Sequence, residues 1–79
     1  MGQKTFESRM ALAKTMQDGD RSEYWRGFQL GLQRCFYGEE FGTEEQHAVR
    51  MAAVNSFYGD YQETGRGYRD GYLGHEPEV

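Results

Sequence analysis

The sequence predicts an all-α protein, with four short helices arranged as two repeated helical hairpins in a single small domain. Apolar side chains recur at intervals of three and four residues in four segments, and glycines lie in the turns between them. One phrase occurs twice, as RGFQLGL at residues 26–32 and as RGYRDGY at residues 66–72. Because a chain of 79 residues buries only roughly 60% of its unfolded surface, we expect a thin core.

The first hairpin is predicted over residues 5–38, and its first helix over residues 5–17. Asp20 or Ser22 is predicted to cap the second helix, and Gly38 to end it. The side chains predicted to face the core share a helical spacing: Phe6, Met10 and Ala13 in the first helix, then Tyr24, Phe28, Leu32 and Cys35 in the second.

The second hairpin is predicted over residues 43–74. Thr43 and Gln46 match a capping box, in which each side chain accepts a hydrogen bond from the other residue's backbone N–H. Asp60 with Glu63 is predicted to cap the fourth helix. The third helix is predicted to end at about Phe57. The predicted inward side chains are Ala48, Val49, Ala52, Ala53, Ser56 and Phe57 in the third helix, and Tyr61, Gly65, Tyr68 and Tyr72 in the fourth.

The two hairpins align with a single one-residue gap. The aligned segments are Arg9-Met10-Ala11 on Arg50-Met51-Ala52, Gly19-Asp20 on Gly59-Asp60, and Arg26-Gly27-Phe28 on Arg66-Gly67-Tyr68. Such a repeat is typical of a supersecondary unit that cannot bury its apolar face alone. The alignment therefore predicts that each hairpin packs against the other.

Four glycines, Gly27, Gly31, Gly67 and Gly71, fall inside the predicted second and fourth helices. Each costs about 1 kcal/mol relative to alanine, so a close backbone approach must compensate. We predict that the two helices pack through these glycine faces, either within one chain or between two chains of a homodimer. The alternative for residues 65–79 is a glycine-rich, half-ordered tail.

No catalytic or metal-binding signature accompanies the predicted helices. His47 and His75 are the only histidines, and neither has the neighbours of a zinc or EF-hand site. Cys35 lies on the apolar stripe of the second helix, where a thiol packs as a small core side chain. We therefore expect a non-enzymatic protein that needs no metal and no cofactor.

The charge balance narrows the class of partner. The net charge is −4 and the isoelectric point is near 5.0, which disfavours direct nucleic-acid binding because lysine and arginine drive phosphate contacts. No apolar run approaches the ~20 residues of a membrane span. A lone cysteine is typical of a reducing compartment. We therefore expect a cytoplasmic protein without membrane association.

The segment YGEEFGTEE, residues 37–45, combines aromatic rings with closely spaced carboxylates. Rings commonly anchor protein interfaces, and surrounding carboxylates steer a basic partner toward them. We call this segment's predicted binding residues the linker surface. They are Tyr37 and Phe41 as anchors, and Glu39, Glu40, Glu44 and Glu45 as steering charges.

The phrases RGFQLGL and RGYRDGYLG resemble the helical Arg-Gly-aromatic-x-x-Gly motif of ribosome modulation factor and of small phage and mobile-element proteins. The similarity covers about 16 of the 79 residues. It implies a short helical protein that binds the ribosome, here through Arg26, Arg34, Arg66 and Arg69. The chain departs from that family in being acidic and in lacking a Cys-Pro-Tyr linker.

A short, acidic, aromatic-rich chain without site chemistry is also similar, as a class, to phage-encoded inhibitors such as the anti-CRISPR proteins. That similarity implies an inhibitor acting in the bacterial host's cytoplasm. Its partner would be a host protein or ribonucleoprotein complex, whose basic, nucleic-acid-binding surface it covers. A ribosome-associated or RNA-associated modulator is the first alternative, and a structural phage component is the second.

Overall fold

The computed structural model describes residues 1–77 and confirms the predicted all-α fold. The four helices are α1 (Gln3–Met16), α2 (Ser22–Tyr37), α3 (Glu44–Ala52) and α4 (Gly59–Leu73). Single 3-10 turns follow α2 (Gly38–Phe41) and α3 (Ala53–Asn55), and the described residues include no strand. The principal extents of the fold are 35 × 30 × 17 Å, and its radius of gyration is 11.5 Å.

The centre of the fold is the crossing of α2 and α4 at the predicted glycines. A Cβ added to Gly27 would lie 1.9 Å from the carbonyl oxygen of Thr64. One added to Gly67 would lie 1.9 Å from the carbonyl oxygen of Tyr24. Real Cβ atoms essentially never come within 3.0 Å of such an atom. The two backbones therefore touch where only glycine leaves room for them.

One turn further along, the other two glycines repeat this arrangement. A Cβ on Gly31 would lie 2.1 Å from the carbonyl oxygen of Tyr68, and one on Gly71 would lie 2.4 Å from that of Phe28. The contacts advance in the same direction along both helices, so α2 and α4 are parallel. The two contacts are equivalent: Gly71 lies 40 positions after Gly31, and Tyr68 lies 40 positions after Phe28. An internal two-fold axis therefore relates the two central helices, α2 and α4.

The direction of these contacts explains how interior glycines are tolerated. An ideal Cβ takes the direction of one Cα hydrogen, so a Cα–H bond of each glycine points at a carbonyl oxygen of the facing helix. Such Cα–H···O contacts recur at close helix crossings and contribute about 0.5–1 kcal/mol each. They offset much of the helical cost of glycine. Because this crossing lies within one chain, a homodimer would have to use another surface.

The outer helices break the two-fold symmetry. On one side α1 packs on α2, where Phe6 stacks on Phe36 with 4.3 Å between ring centroids, and Trp25 joins the same core cluster. On the other side, the residue equivalent to Trp25 is Gly65. A Cβ on Gly65 would lie 2.6 Å from the backbone nitrogen of Val54. The 3-10 turn after α3 therefore reaches the backbone of α4, whereas an indole occupies the corresponding place beside α2.

The predicted capping box at the start of α3 is confirmed. Thr43 Oγ1 accepts a hydrogen bond from the backbone N–H of Gln46, and Gln46 Oε1 accepts one from the backbone N–H of Thr43, both at 3.1 Å. The predicted stop at Gly38 is confirmed as well, because its φ of 70° is a conformation that glycine adopts most readily.

The other two predicted caps are wrong. Neither Asp20 nor Ser22 caps α2, because Arg21 occupies the N-cap position and makes no side-chain cap. Arg21 instead extends to Glu63 across the helix crossing, so a tertiary ion pair sets the start of α2. Asp60 does not cap α4, which already begins one residue earlier.

The predicted inward face of α3 is also wrong in part. Ala48, Val49, Ala52 and Phe57 are exposed, while Ala53 and Ser56 are half-buried. The helix ends at Ala52 rather than at Phe57. His47 and Arg50 occupy the inward face instead, because their side chains bind and cover the ring of Tyr68 on α4.

The segment predicted alternatively as a half-ordered tail is helical as far as Leu73. Gly65, Gly67 and Gly71 are all buried in α4, so packing against neighbouring backbone outweighs their low helix propensity. Gly74 ends the helix in the left-handed conformation, with φ 74°. Of the predicted tail, residues 78–79 lie outside the described residues.

A buried hydrogen bond also joins the central helices, from Tyr24 Oη to Asp70 Oδ2 at 2.7 Å. Both side chains are buried. We expect Tyr24→Phe to lower the free energy of unfolding by about 2 kcal/mol, because the Asp70 carboxylate loses a donor that water cannot replace. Urea denaturation measures this loss. Tyr58→Phe, at an exposed position, is the control and should change stability little; equal stabilities of both variants would contradict the buried bond.

Candidate protein-interaction surfaces

The predicted linker surface extends from the last turn of α2 to the first turn of α3. The Tyr37 ring is 49% exposed, and its other side packs edge-on against Phe6 and Phe36. Phe41 is half-buried in the 3-10 turn, so it offers less surface to a partner than predicted. Tyr37 is thus fixed by the core and still open on one side, as an interface anchor must be.

The four carboxylates of the linker surface differ in their surroundings. Glu39, Glu40 and Glu45 are exposed. Glu44 pairs with Arg34, whose Nη2 lies 2.6 Å from Glu44 Oε1 and whose side chain is only 7% exposed. Glu44 therefore neutralises a buried guanidinium and fixes α3 on the end of α2. The other three carboxylates are the better candidates for steering a partner.

Behind this surface, a polar cluster joins α3 to α4. His47 Nδ1 lies 2.8 Å from Tyr68 Oη, and the His47 ring packs on Tyr72 with 4.4 Å between centroids. The pKa of the Tyr68 hydroxyl is raised, because the effect of burial exceeds the opposing effect of the nearby positive charges of Arg50 and Arg34. The phenol is therefore protonated at neutral pH, and the cluster holds the two helices together.

Sequence reasoning missed a second surface, at the turn before and the first turn of α4. Phe57 is fully exposed, and Tyr58 and Tyr61 are 73% and 67% exposed. The prediction that Phe57 and Tyr61 face the core is thus wrong, because Gly65 brings the preceding turn so close to α4 that these rings are left outside. We call these three residues the aromatic corner. The signal was present in FYGDY, three aromatic residues around a Gly-Asp turn.

A cleft of about 340 Å³ opens beside the aromatic corner, where α2 and α4 begin. We call it the Glu23 cleft. It is lined by Glu23, Arg26, Asp60, Tyr61 and Thr64. Two carboxylates and an exposed ring thus share one concave site with a single guanidinium, that of Arg26, which pairs with Glu23. The carboxylates outnumber the cation, so the site is suited to a further cationic side chain.

The arginines that the ribosome modulation factor resemblance assigns to RNA are engaged within the protein. Arg26 pairs with Glu23, Arg66 with Glu63 at 3.5 Å, and Arg69 with Asp70 at 3.5 Å. Arg34 is the buried partner of Glu44. Because each guanidinium already lies beside a carboxylate, these arginines present less positive potential to phosphate than unpaired arginines would.

The described part of the chain contains no group of three or more histidine, cysteine, aspartate or glutamate side chains that could hold a metal ion. None of its helices has both the length and the apolar character needed to cross a bilayer. No protein-family model matches the chain, and neither the curated proteins nor the solved structures include a significant match.

Proposed function

We propose that this chain is a non-enzymatic binding protein that inhibits a nucleic-acid-handling complex of a bacterial host. It covers a basic surface of that complex with its acidic, aromatic-edged surfaces, as phage-encoded anti-CRISPR proteins cover theirs. The observation that carries the proposal is the aromatic corner beside the Glu23 cleft. A fully exposed phenylalanine next to two exposed tyrosines is unusual on a surface without a partner.

The distribution of charge supports a basic partner. Carboxylates border both candidate surfaces, at opposite ends of α2 and α4. The arginines of these helices are paired with carboxylates, so the carboxylates of the linker surface dominate its potential. Complementary potentials accelerate encounter and exclude wrong partners. The same pairing makes the ribosome-binding alternative less suitable.

An affinity capture from bacterial lysate, analysed by mass spectrometry, tests this proposal. The variant Glu39→Gln/Glu40→Gln removes two steering charges and leaves the Glu44–Arg34 pair intact. We expect the wild-type chain to retain a basic component of a nucleic-acid-handling complex, and the variant to retain about fivefold less of it. The salt dependence of capture should fall as well, because fewer charges take part.

The matched control is Ser8→Lys/Thr15→Lys, which raises the net charge equally at exposed positions of α1. It should retain the partner almost as well as the wild-type chain. Equal capture by the linker variant would remove the linker surface from the proposal. Co-sedimentation with ribosomes at moderate salt would replace the proposal with the ribosome-associated alternative, and assembly beyond a dimer with rising concentration would favour the structural phage component.

A further inference from the structure

The internal two-fold axis gives the Glu23 cleft a counterpart within the same molecule. The counterpart, of about 300 Å³, has Asp20, Arg21, Tyr24 and Glu63 among its lining residues. They are the equivalents, 40 residues earlier or later, of Asp60, Tyr61, Thr64 and Glu23. Comparing the two clefts therefore shows what chemistry this frame accepts.

In the counterpart, a guanidinium occupies the frame. Arg21 donates to Glu63 Oε2 from Nη2 at 2.8 Å and from Nε at 3.3 Å. Its Cζ also lies 4.2 Å from the centroid of the Tyr24 ring. The site thus holds a guanidinium by a charge-assisted pair and by an aromatic face, the two interactions that distinguish arginine from lysine.

In the Glu23 cleft, the residue equivalent to Arg21 is Tyr61. The chain therefore supplies no guanidinium from this position. Glu23 accepts a hydrogen bond across the helix crossing from the neutral hydroxyl of Thr64, with 3.1 Å between the oxygens. The equivalent carboxylate, Glu63, instead accepts hydrogen bonds from the guanidinium of Arg21. Arg26 pairs with Glu23 from the exposed side of the same helix, as Arg66 does with Glu63. The carboxylate and the concave frame are retained. Thr64 replaces the Tyr24 ring, and the exposed ring of this cleft, Tyr61, lies at the position of Arg21.

We propose that the Glu23 cleft binds the guanidinium of an arginine side chain presented by the partner protein. Glu23 and Asp60 pair with the guanidinium, and the Tyr61 ring covers its face from a position that differs from that of Tyr24 in the counterpart. This inference rests on the proposed function for the basic character of the partner. It adds the residue type that is recognised and the place where it binds.

The test is a titration of the ¹⁵N-labelled 79-residue chain, followed by NMR, with the tripeptide acetyl-Gly-Arg-Gly-amide. We expect saturable shifts of the amides of Glu23, Asp60, Tyr61 and Thr64. The lysine tripeptide should bind more weakly, because an ammonium lacks the planar fork. The citrulline tripeptide, which is neutral and nearly isosteric, should leave these amides unshifted. Equal responses to the three peptides would overturn the inference.

Two variants locate the binding. Tyr61→Arg introduces the residue found in the counterpart cleft. The new guanidinium should occupy the Glu23 cleft and weaken binding of the arginine tripeptide at least about tenfold. Tyr58→Arg makes the same change on the neighbouring exposed ring outside the cleft and should bind as the wild-type chain does. Unchanged binding by Tyr61→Arg, with its amide spectrum still dispersed, would overturn the inference.

The outcome is separable from that of the proposed function. If the tripeptide does not bind while Glu39→Gln/Glu40→Gln weakens capture of a basic partner, the cleft inference fails and the proposed function stands. If the tripeptide binds in the cleft while capture yields no basic partner, the cleft inference stands and the proposed function fails.

Discussion

Gly67→Ala is expected to lower the free energy of unfolding by about 3 kcal/mol, although alanine is the better helix former. The added methyl group would lie 1.9 Å from the carbonyl oxygen of Tyr24 and 2.8 Å from the backbone nitrogen of Phe28. Both are main-chain atoms of a helix and cannot rotate away, so α2 and α4 must separate. Urea denaturation with linear extrapolation measures the loss.

Gly59→Ala is the matched control, because it makes the same change in the first turn of the same helix. Nothing lies within 4 Å of a Cβ at Gly59. Its stability should equal that of the wild-type chain or exceed it by about 0.5 kcal/mol. If Gly67→Ala were as stable as Gly59→Ala, the helices would not be in backbone contact at Gly67.

Trp25→Ala is expected to cost about 4 kcal/mol. The indole is 2% exposed and packs edge-on against Tyr24 and Phe28, with ring centroids 5.2 and 5.4 Å away. The surrounding side chains can relax only partly into the space that the indole leaves. A thermal or urea unfolding curve should therefore show a partly unfolded or much destabilised variant.

Phe57→Ala is the control for the loss of an aromatic ring, because Phe57 is fully exposed. It should change stability by less than about 0.5 kcal/mol. The aromatic corner would then be dispensable for folding, which is expected of residues retained for binding. A loss as large as that of Trp25→Ala would place Phe57 in the core and contradict the aromatic corner.

The features that the sequence predicts correctly are those with local causes. The repeated phrase identifies the glycine faces because four glycines at helical spacing need a close neighbour wherever they lie. The Thr43–Gln46 capping box depends only on residues three apart, so tertiary structure has little influence on it. The same holds for Gly38, whose backbone conformation favours glycine locally.

The features that the sequence mispredicts are set by distant contacts. Periodicity marks Val49 and Phe57 as inward because they are apolar, yet His47 and Arg50 take that face by binding Tyr68 on α4. Arg21 displaces the expected cap of α2 through a partner 42 residues away. Tyr61 is exposed because the turn before α4 approaches the helix closely at Gly65 and leaves the ring outside.

For the candidate surfaces, composition identifies the class of residue but not its availability. The carboxylates and rings of the linker surface are evident in YGEEFGTEE. That Glu44 pairs with a buried Arg34, and so is committed to the fold, depends on a contact between α2 and α3 that no spacing rule indicates. The Glu23 cleft requires the parallel crossing itself, because its lining comes from both central helices.

The most direct test of the parallel glycine crossing is a nuclear Overhauser measurement on the isotope-labelled chain. We predict contacts from the Gly67 Hα protons to the Phe28 amide and from the Gly71 Hα protons to the Leu32 amide, with the counterpart contact from Gly31 to Tyr72. To separate contacts within a chain from contacts between chains, labelled and unlabelled chains are mixed and only intramolecular contacts are selected. The predicted contacts should persist under this selection. Contacts running in the opposite order, such as Gly27 to Gly71, or contacts found only between chains, would contradict the crossing.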